Sequence, residues 1–157
     1  LMPLQSLASA KQLTLTTHIP PNLSLNIQPE ELQQLIQSTV TNAIQFSPTN
    51  TTVDVAAQQK GKNILLTITD NGSGIAPEKL DQLFQPFTRG TETETYDHPG
   101  LGLNLHVDKL TTEKLGGSIQ LTSTTAPATT TGTSIIISLP ACKSGLRPAP
   151  VMIVPGA

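Results

Sequence analysis

The stretch from Pro29 to Phe46, with the hairpin behind it, constrains this chain most. Pro29, Glu30 and Glu31 suit a helix start, because proline fits the first turn and acids favour the positive end of the helix dipole. Leu32, Leu35, Ile36, Thr39, Val40 and Ala43 then recur at spacings of three and four, an apolar face that runs to Phe46 and stops at Ser47-Pro48-Thr49-Asn50. Two β-rich runs follow at 52–58 and 63–69, joined by Gln59-Lys60-Gly61-Lys62, and they read as an antiparallel hairpin. A one-faced helix followed by a hairpin calls for a helix layer on a sheet.

The rest of the chain extends that pattern. Residues 11–19 alternate, with Leu13, Leu15 and Thr17 on one face, which predicts a strand stopped by Pro20-Pro21-Asn22. Residues 1–12 read as the end of a helix and its exit, a linker from an upstream helical hairpin. A short helix is expected at 77–84, with Leu80, Leu83 and Phe84 inward, and a longer one at 102–115, capped by Gly116-Gly117. Between them, 88–99 is polar with almost no apolar residue, which predicts a mobile loop. Strands are expected at 118–124 and 133–139, and a Pro-rich tail or linker at 141–157. The expected fold is one α+β domain over residues 13–140: a two-layer sandwich, a mixed and mostly antiparallel sheet with helices on one face.

Composition removes several function classes. No run approaches the roughly 18 apolar residues of a membrane span, so no membrane contact is expected. Nine Lys+Arg against eleven Asp+Glu leave a net charge of −2, so there is no basic field to hold nucleic acid. The lone Cys142 excludes an internal disulfide and a cysteine-based zinc site, and it suits a reducing, cytoplasmic setting.

Three segments place glycine or a small polar residue where regular structure does not ask for one. Asp70-Asn71-Gly72-Ser73-Gly74-Ile75 follows a strand directly. It offers either a fixed carboxylate beside closely approachable backbone, suited to an exocyclic amine such as adenine's, or a plain Asp-Asn-Gly turn. Gly100-Leu101-Gly102-Leu103 leads into a helix, which presents free N–H groups to phosphates or serves as a hinge with a capped helix. Asn42 lies near the apolar stripe, as an oxygen ligand for Mg²⁺ or as an amide bonded to backbone; Phe46 beside it is base-flanking or core filler.

Taken in order, Asn-Ala-x-x-Phe-Ser, Asp-x-Gly-x-Gly-Ile, Leu-Phe-x-x-Phe-x-Arg-Gly at 83–90, Gly-Leu-Gly-Leu, Gly-Gly-x-Ile and Gly132-Thr133 resemble the catalytic and ATP-binding domain of sensor histidine kinases. The resemblance covers 13–140 and implies the Bergerat ATP-binding fold, shared with gyrase- and MutL-type ATPases, which lack the Phe-rich box. It implies that Asn42 holds Mg²⁺ between the ATP phosphates and that Asp70 accepts the adenine amino proton, with Gly72 and Gly74 letting the ring approach. Phe46 and Ile75 would flank the base, and Thr133 would reach it through a water. Gly100, Leu101, Gly102 and Leu103 would place backbone N–H groups on the phosphates. Arg89 would reach the phosphates or the partner domain, and 91–99 would be the ATP lid.

The sequence also departs from the family pattern. The second polar residue of the first box, one turn before Asn42, helps hold Mg²⁺ or activate the acceptor, and here it is Ser38. The usual lysine three residues after the asparagine, near the phosphates, is Gln45. His98-Pro99 precedes Gly100 where a further glycine is usual, and the stretch from there to Gly116-Gly117 is slightly longer. These changes weaken the phosphate end, where phosphoryl transfer relies on charge stabilisation, and leave adenine recognition whole. None of His18, His98 or His106 suits a phosphoacceptor, which is usually followed by an acid and then a proline on a helix. The acceptor is therefore expected on a dimerisation and phosphoacceptor hairpin before Leu1, with a response regulator as the further partner. Two functions follow: an ATP- and Mg²⁺-dependent histidine kinase domain with little activity when isolated, or a nucleotide-binding pseudokinase or scaffold that signals through its lid.

Overall fold

In the computed structural model, which describes residues 2–85, 104–127 and 129–142, the chain runs α1 (Met2–Ala10), β1 (Thr14–His18), α2 (Pro29–Phe46), β2 (Thr52–Lys60) and β3 (Asn63–Asp70). It continues through α3 (Pro77–Leu80) with the 3₁₀ turn Asp81–Phe84, then α4 (Asn104–Lys114), β4 (Ser118–Thr124) and β5 (Gly132–Pro140). The strands form one sheet in the order β1-β2-β3-β5-β4, parallel between β1 and β2 and antiparallel elsewhere. This is the expected α+β sandwich. No helix among the described residues is long and apolar enough to cross a membrane.

Period two decides which strand residues face the helices. Val53 and Val55 of β2, Ile64, Leu66 and Ile68 of β3, and Ile135, Ile137 and Leu139 of β5 are buried in one core. The stripe of α2 packs onto them through Leu32, Leu35, Ile36, Val40, Ala43 and Ile44. The opposite face carries Thr and Ser rows, joined by bonds such as Thr69 Oγ1 to Ser134 Oγ at 3.0 Å, as suits an antiparallel sheet with one half-solvated side.

Two boundaries differ from expectation. β3 runs one residue further than its expected end at Thr69, because Asp70 pairs with Val53 on one side and Thr133 on the other. The hairpin turn tightens to Gly61-Lys62, since Lys60 and Asn63 also pair. Residues 2–10, read as the end of a helix within a linker, form a helix, and it puts Leu4 and Ala8 into the core. The tail is anchored through Cys142, whose N–H donates to Ser24 O at 2.9 Å; 143–157 lie outside the described residues.

α2 has neither a basic residue in its last turn nor a glycine cap, and Ser47 leaves it in an extended conformation. Lys11, at the exit of α1, supplies the missing partner: its Nζ donates to Ile44 O at 2.9 Å and to Gln45 O at 2.5 Å. A cation on the carbonyl end of a helix also opposes the dipole. Burial lowers the Lys11 pKa.

Candidate functional site

The two-residue period that builds the core also carries polar residues to its edge. Asp70 follows Ile64, Leu66 and Ile68 on the inward face of β3, and Thr133 precedes Ile135, Ile137 and Leu139 on that of β5. Ser123 continues Ile119 and Leu121 on β4. Register aligns Asp70, Thr133 and Ser123 in one row across the sheet end. Above this row opens a cavity of about 260 Å³ between the sheet end and α2, near the lower limit of the roughly 300–1,000 Å³ usual for small-ligand pockets. Asp70 and Thr133 line it from the sheet, Asn42 and Phe46 from α2, and Gly72 to Ala76 from the loop after β3.

Asp70 is only 6% exposed, and its Oδ1 accepts the Gly72 N–H at 2.8 Å and the Thr133 N–H at 3.3 Å. Burial pushes the carboxyl above its ordinary range, and these two N–H donors oppose the shift. Both bonds fall on Oδ1, which leaves Oδ2 for a ligand donor. Thr131 Oγ1 donates to Gly72 O at 2.8 Å and fixes the loop from its other side. Ser123 Oγ accepts the Ile75 N–H at 2.7 Å, donates to Gly132 O at 2.9 Å and meets Thr133 Oγ1 at 3.0 Å.

The two glycines of the loop serve different surroundings. A Cβ on Gly72 would lie 2.8 Å from Asp70 Oδ1, so this glycine lets the backbone close onto the carboxylate. Gly74 has φ +76°, and a Cβ there would meet Thr124 O at 2.1 Å. The room its missing side chain leaves therefore lies against the end of β4, although its backbone lines the cavity.

On α2, Phe46 is 70% exposed at the cavity, which excludes the core-filler role. Asn42 is half-buried and lines the cavity; Gln45 is half-buried and does not. Ser38, one turn before Asn42, donates to Asp108 Oδ2 on α4 at 3.1 Å. Asp108 is 3% exposed, and burial pushes its carboxyl up to about 7 against the opposing Ser38 hydroxyl. His106 Nδ1 lies 2.8 Å from Phe84 O, joining α4 to the turn whose Leu83 lines the cavity.

A row of polar groups at the end of a sheet, under an exposed aromatic and beside a glycine loop, is the layout of a family match that spans most of the chain. Residues 27–143 match the model for histidine kinase-, DNA gyrase B- and HSP90-like ATPases. The chain belongs to this family.

Within it, the similarity is to sensor histidine kinases. The chain is 30% identical to the autoinducer 2 sensor kinase/phosphatase LuxQ of Vibrio harveyi over 134 residues, 82% of this chain and 15% of that protein. It is 32% identical to the sensor-like histidine kinase SenX3 of Mycobacterium tuberculosis over 125 residues, 80% of this chain and 30% of that one. The mycobacterial sensor histidine kinase MprB superposes with a TM-score of 0.77 at 26% identity, over 94% of this chain and 93% of that structure. The catalytic domain of the histidine kinase ThkA shares the fold with a TM-score of 0.74 at 18% identity, over 88% of this chain and 86% of that one. The chain thus corresponds to the catalytic, ATP-binding domain of sensor histidine kinases and spans a third or less of these curated relatives.

The structure of this ATPase domain brings Asn42, Phe46, Asp70, Gly72, Gly74, Ile75 and Thr133 to one cavity. Arg89, Gly100, Leu101, Gly102, Leu103 and the lid at 91–99, with His98, lie outside the described residues. Sequence reading missed Ser123, Thr131, His106, Lys11 and Asp108. Ser123 was within reach of strand alternation; the others depend on contacts between elements far apart in the chain.

Proposed function

We propose that this ATPase domain binds Mg·ATP and hands the γ-phosphoryl to a histidine on a separate dimerisation and phosphoacceptor domain, from which a response regulator is served. The observation that carries the reading is Asp70: a buried carboxylate oriented by two backbone N–H groups, with its second oxygen left for the cavity. An ionised carboxylate accepts and cannot donate, so it selects a base that presents an amine, as adenine does. Phe46 offers a ring face to that base, and Ile75 an apolar edge.

Among the described residues no three His, Cys, Asp or Glu side chains converge, so the protein alone offers no cage for a bare cation. One amide oxygen, that of Asn42, does fit Mg²⁺, which keeps several waters and takes its remaining ligands from phosphates. Bound there, Mg²⁺ supplies charge neutralisation on the phosphate oxygens during transfer. The chain's own part is to fix the base at Asp70, hold the Asn42 turn over the triphosphate and keep the base end dry. Ser38 sits one turn from Asn42 in the catalytic position, tied to Asp108. Gln45, outside the cavity lining, contributes no cation there.

The test is calorimetry with ATP, ADP and adenosine on the wild-type chain and on Asp70→Asn. Because two N–H donors hold one oxygen inward, the variant presents its NH₂ to the adenine amine, and all three ligands should lose affinity together. Full affinity in Asp70→Asn overturns the placement of the base. Transfer is tested by adding the upstream hairpin and γ-labelled ATP: acid-labile label on a histidine is expected, and binding without label would mean a domain that signals without transfer.

A further inference from the structure

The seam between α2 and α4 holds a buried carboxylate that the binding of the base does not use. Asp108 lies in the inward stripe of α4 with Leu105 and Thr112, while Val107 and Leu110 on the same helix face solvent. Thr39 on α2 and Thr112 on α4 bond to carbonyls of their own helices, Leu35 O at 2.8 Å and Asp108 O at 2.6 Å. Among the described residues two side-chain hydrogen bonds join these helices: an exposed one from Lys114 Nζ to Glu31 Oε1 at 2.9 Å, at the far end of both, and the part-buried one from Ser38 to Asp108, one turn from Asn42. Ser38 and Asn42 are four apart and share one face of α2. α4 begins, among the described residues, at Asn104, directly after the glycine segment 100–103.

We propose that Asp108 is a positioning residue for the metal–nucleotide complex. Its carboxylate fixes the Ser38 hydroxyl, and with it the turn of α2 that carries Asn42, in register with α4. An apolar side chain of similar volume would fill the seam with no desolvated charge, and such replacements are often neutral or stabilising. What a carboxylate adds is a directional acceptor between two helices whose interior N–H groups are already committed. Asp108 is therefore a group whose cost to stability is matched by a gain in geometry. This inference rests on the reading of Asn42 as the Mg²⁺-side residue.

The experiment compares Asp108→Leu, Asp108→Asn, Ser38→Ala and Asp108→Leu/Ser38→Ala in the 157-residue chain. Thermal unfolding is read beside calorimetric affinities for Mg·ATP and for adenosine. Asp108→Leu should unfold at the same temperature or higher, yet bind Mg·ATP about tenfold more weakly, a loss of about 1.4 kcal/mol, with adenosine affinity unchanged. Ser38→Ala should lose the same factor and the double variant no more, because the two residues act as one unit. Asp108→Asn retains an acceptor and should recover much of the affinity. Unchanged Mg·ATP affinity in Ser38→Ala or Asp108→Leu, additive losses in the double variant, or affinities that merely follow unfolding temperature would each overturn the proposal. If Asp108→Leu does not fold, Ser38→Ala with Asp108→Asn decides it. A wild-type chain that binds no ATP sinks the functional reading instead, so the two failures are distinguishable.

Discussion

Two buried aspartates, one at the end of a strand and one between two helices, are held in different ways. Asp70, at the end of a central strand, accepts two main-chain N–H groups, because the loop after β3 and the edge of β5 bring unspent donors to it. Asp108, in the middle of a helix facing another helix, receives one side-chain hydroxyl. Helix interiors have no N–H to offer. Burial raises both carboxyls, but two backbone donors oppose the shift at Asp70, and only Ser38 opposes the rise to about 7 at Asp108. The comparison teaches that a buried acid is kept ready to accept by the chain geometry around it more than by its depth.

The comparison breaks most directly at Asp70. Asp70→Ala removes the acceptor for the base, and ATP and ADP affinities should fall by at least about 100-fold, read by calorimetry. Retained affinity would mean that the strand-end carboxylate is structural, and the two aspartates would then differ in degree alone.

Asp108→Asn tests the helix side through stability. The folded chain holds this proton up to a pH of about 7, whereas the unfolded chain releases it near 3.8. Folding therefore takes up a proton between those values, and the stability from this group is full below the lower one and lost as pH rises through the upper. Asp108→Asn has no such proton. Its unfolding temperature should exceed that of the wild type at pH 8 and the gap should close toward pH 4, with a difference of up to about 4 kcal/mol between the extremes. A gap that does not change with pH shows that Asp108 ionises as freely as a surface acid.

Lys11 links the two regions, since it holds the last turn of the helix that reaches from Ser38 to Phe46. Lys11→Met removes two carbonyl bonds and should cost about 1–2 kcal/mol in chemical denaturation. Lys11→Arg should recover part of that. An unchanged midpoint in Lys11→Met would mean that water caps α2 equally well.

Much of this arrangement was legible in the chain, and the reason differs from element to element. The stripe from Leu32 to Ile44 and the alternation of β2, β3 and β5 follow local periods, so the helix, the hairpin and the one-sided core follow from spacing. Counting β3 one residue further puts Asp70 on the inward face and explains its burial. α4 was legible as a helix but not in its orientation, because its exposed Val107 and Leu110 mark a face other than the one that packs, while Asp108 and Thr112 point inward. The Lys11 cap and the Ser38 tie join residues 33 and 70 positions apart, beyond the reach of any local period. The role of Gly72 is likewise set by an approach that only folding creates.

The smallest expected effect is also the sharpest test of the backbone argument. Ser123 has one hydroxyl proton; it goes to Gly132 O, while its lone pairs take the Ile75 N–H. In the 3.0 Å contact with Thr133, the proton must then come from Thr133, whose oxygen keeps its lone pairs to accept, on a residue that lines the cavity. Thr133→Val deletes that oxygen but keeps the main-chain N–H that reaches Asp70. ATP and adenosine should therefore weaken by the same factor, about 3- to 10-fold, roughly the worth of one water-mediated contact, with ADP following them. The effect should be independent of Mg²⁺, because the residue lies at the base end. A loss as large as that of Asp70→Ala would mean that side chains, not the backbone, hold the carboxylate, and the contrast with Asp108 would vanish.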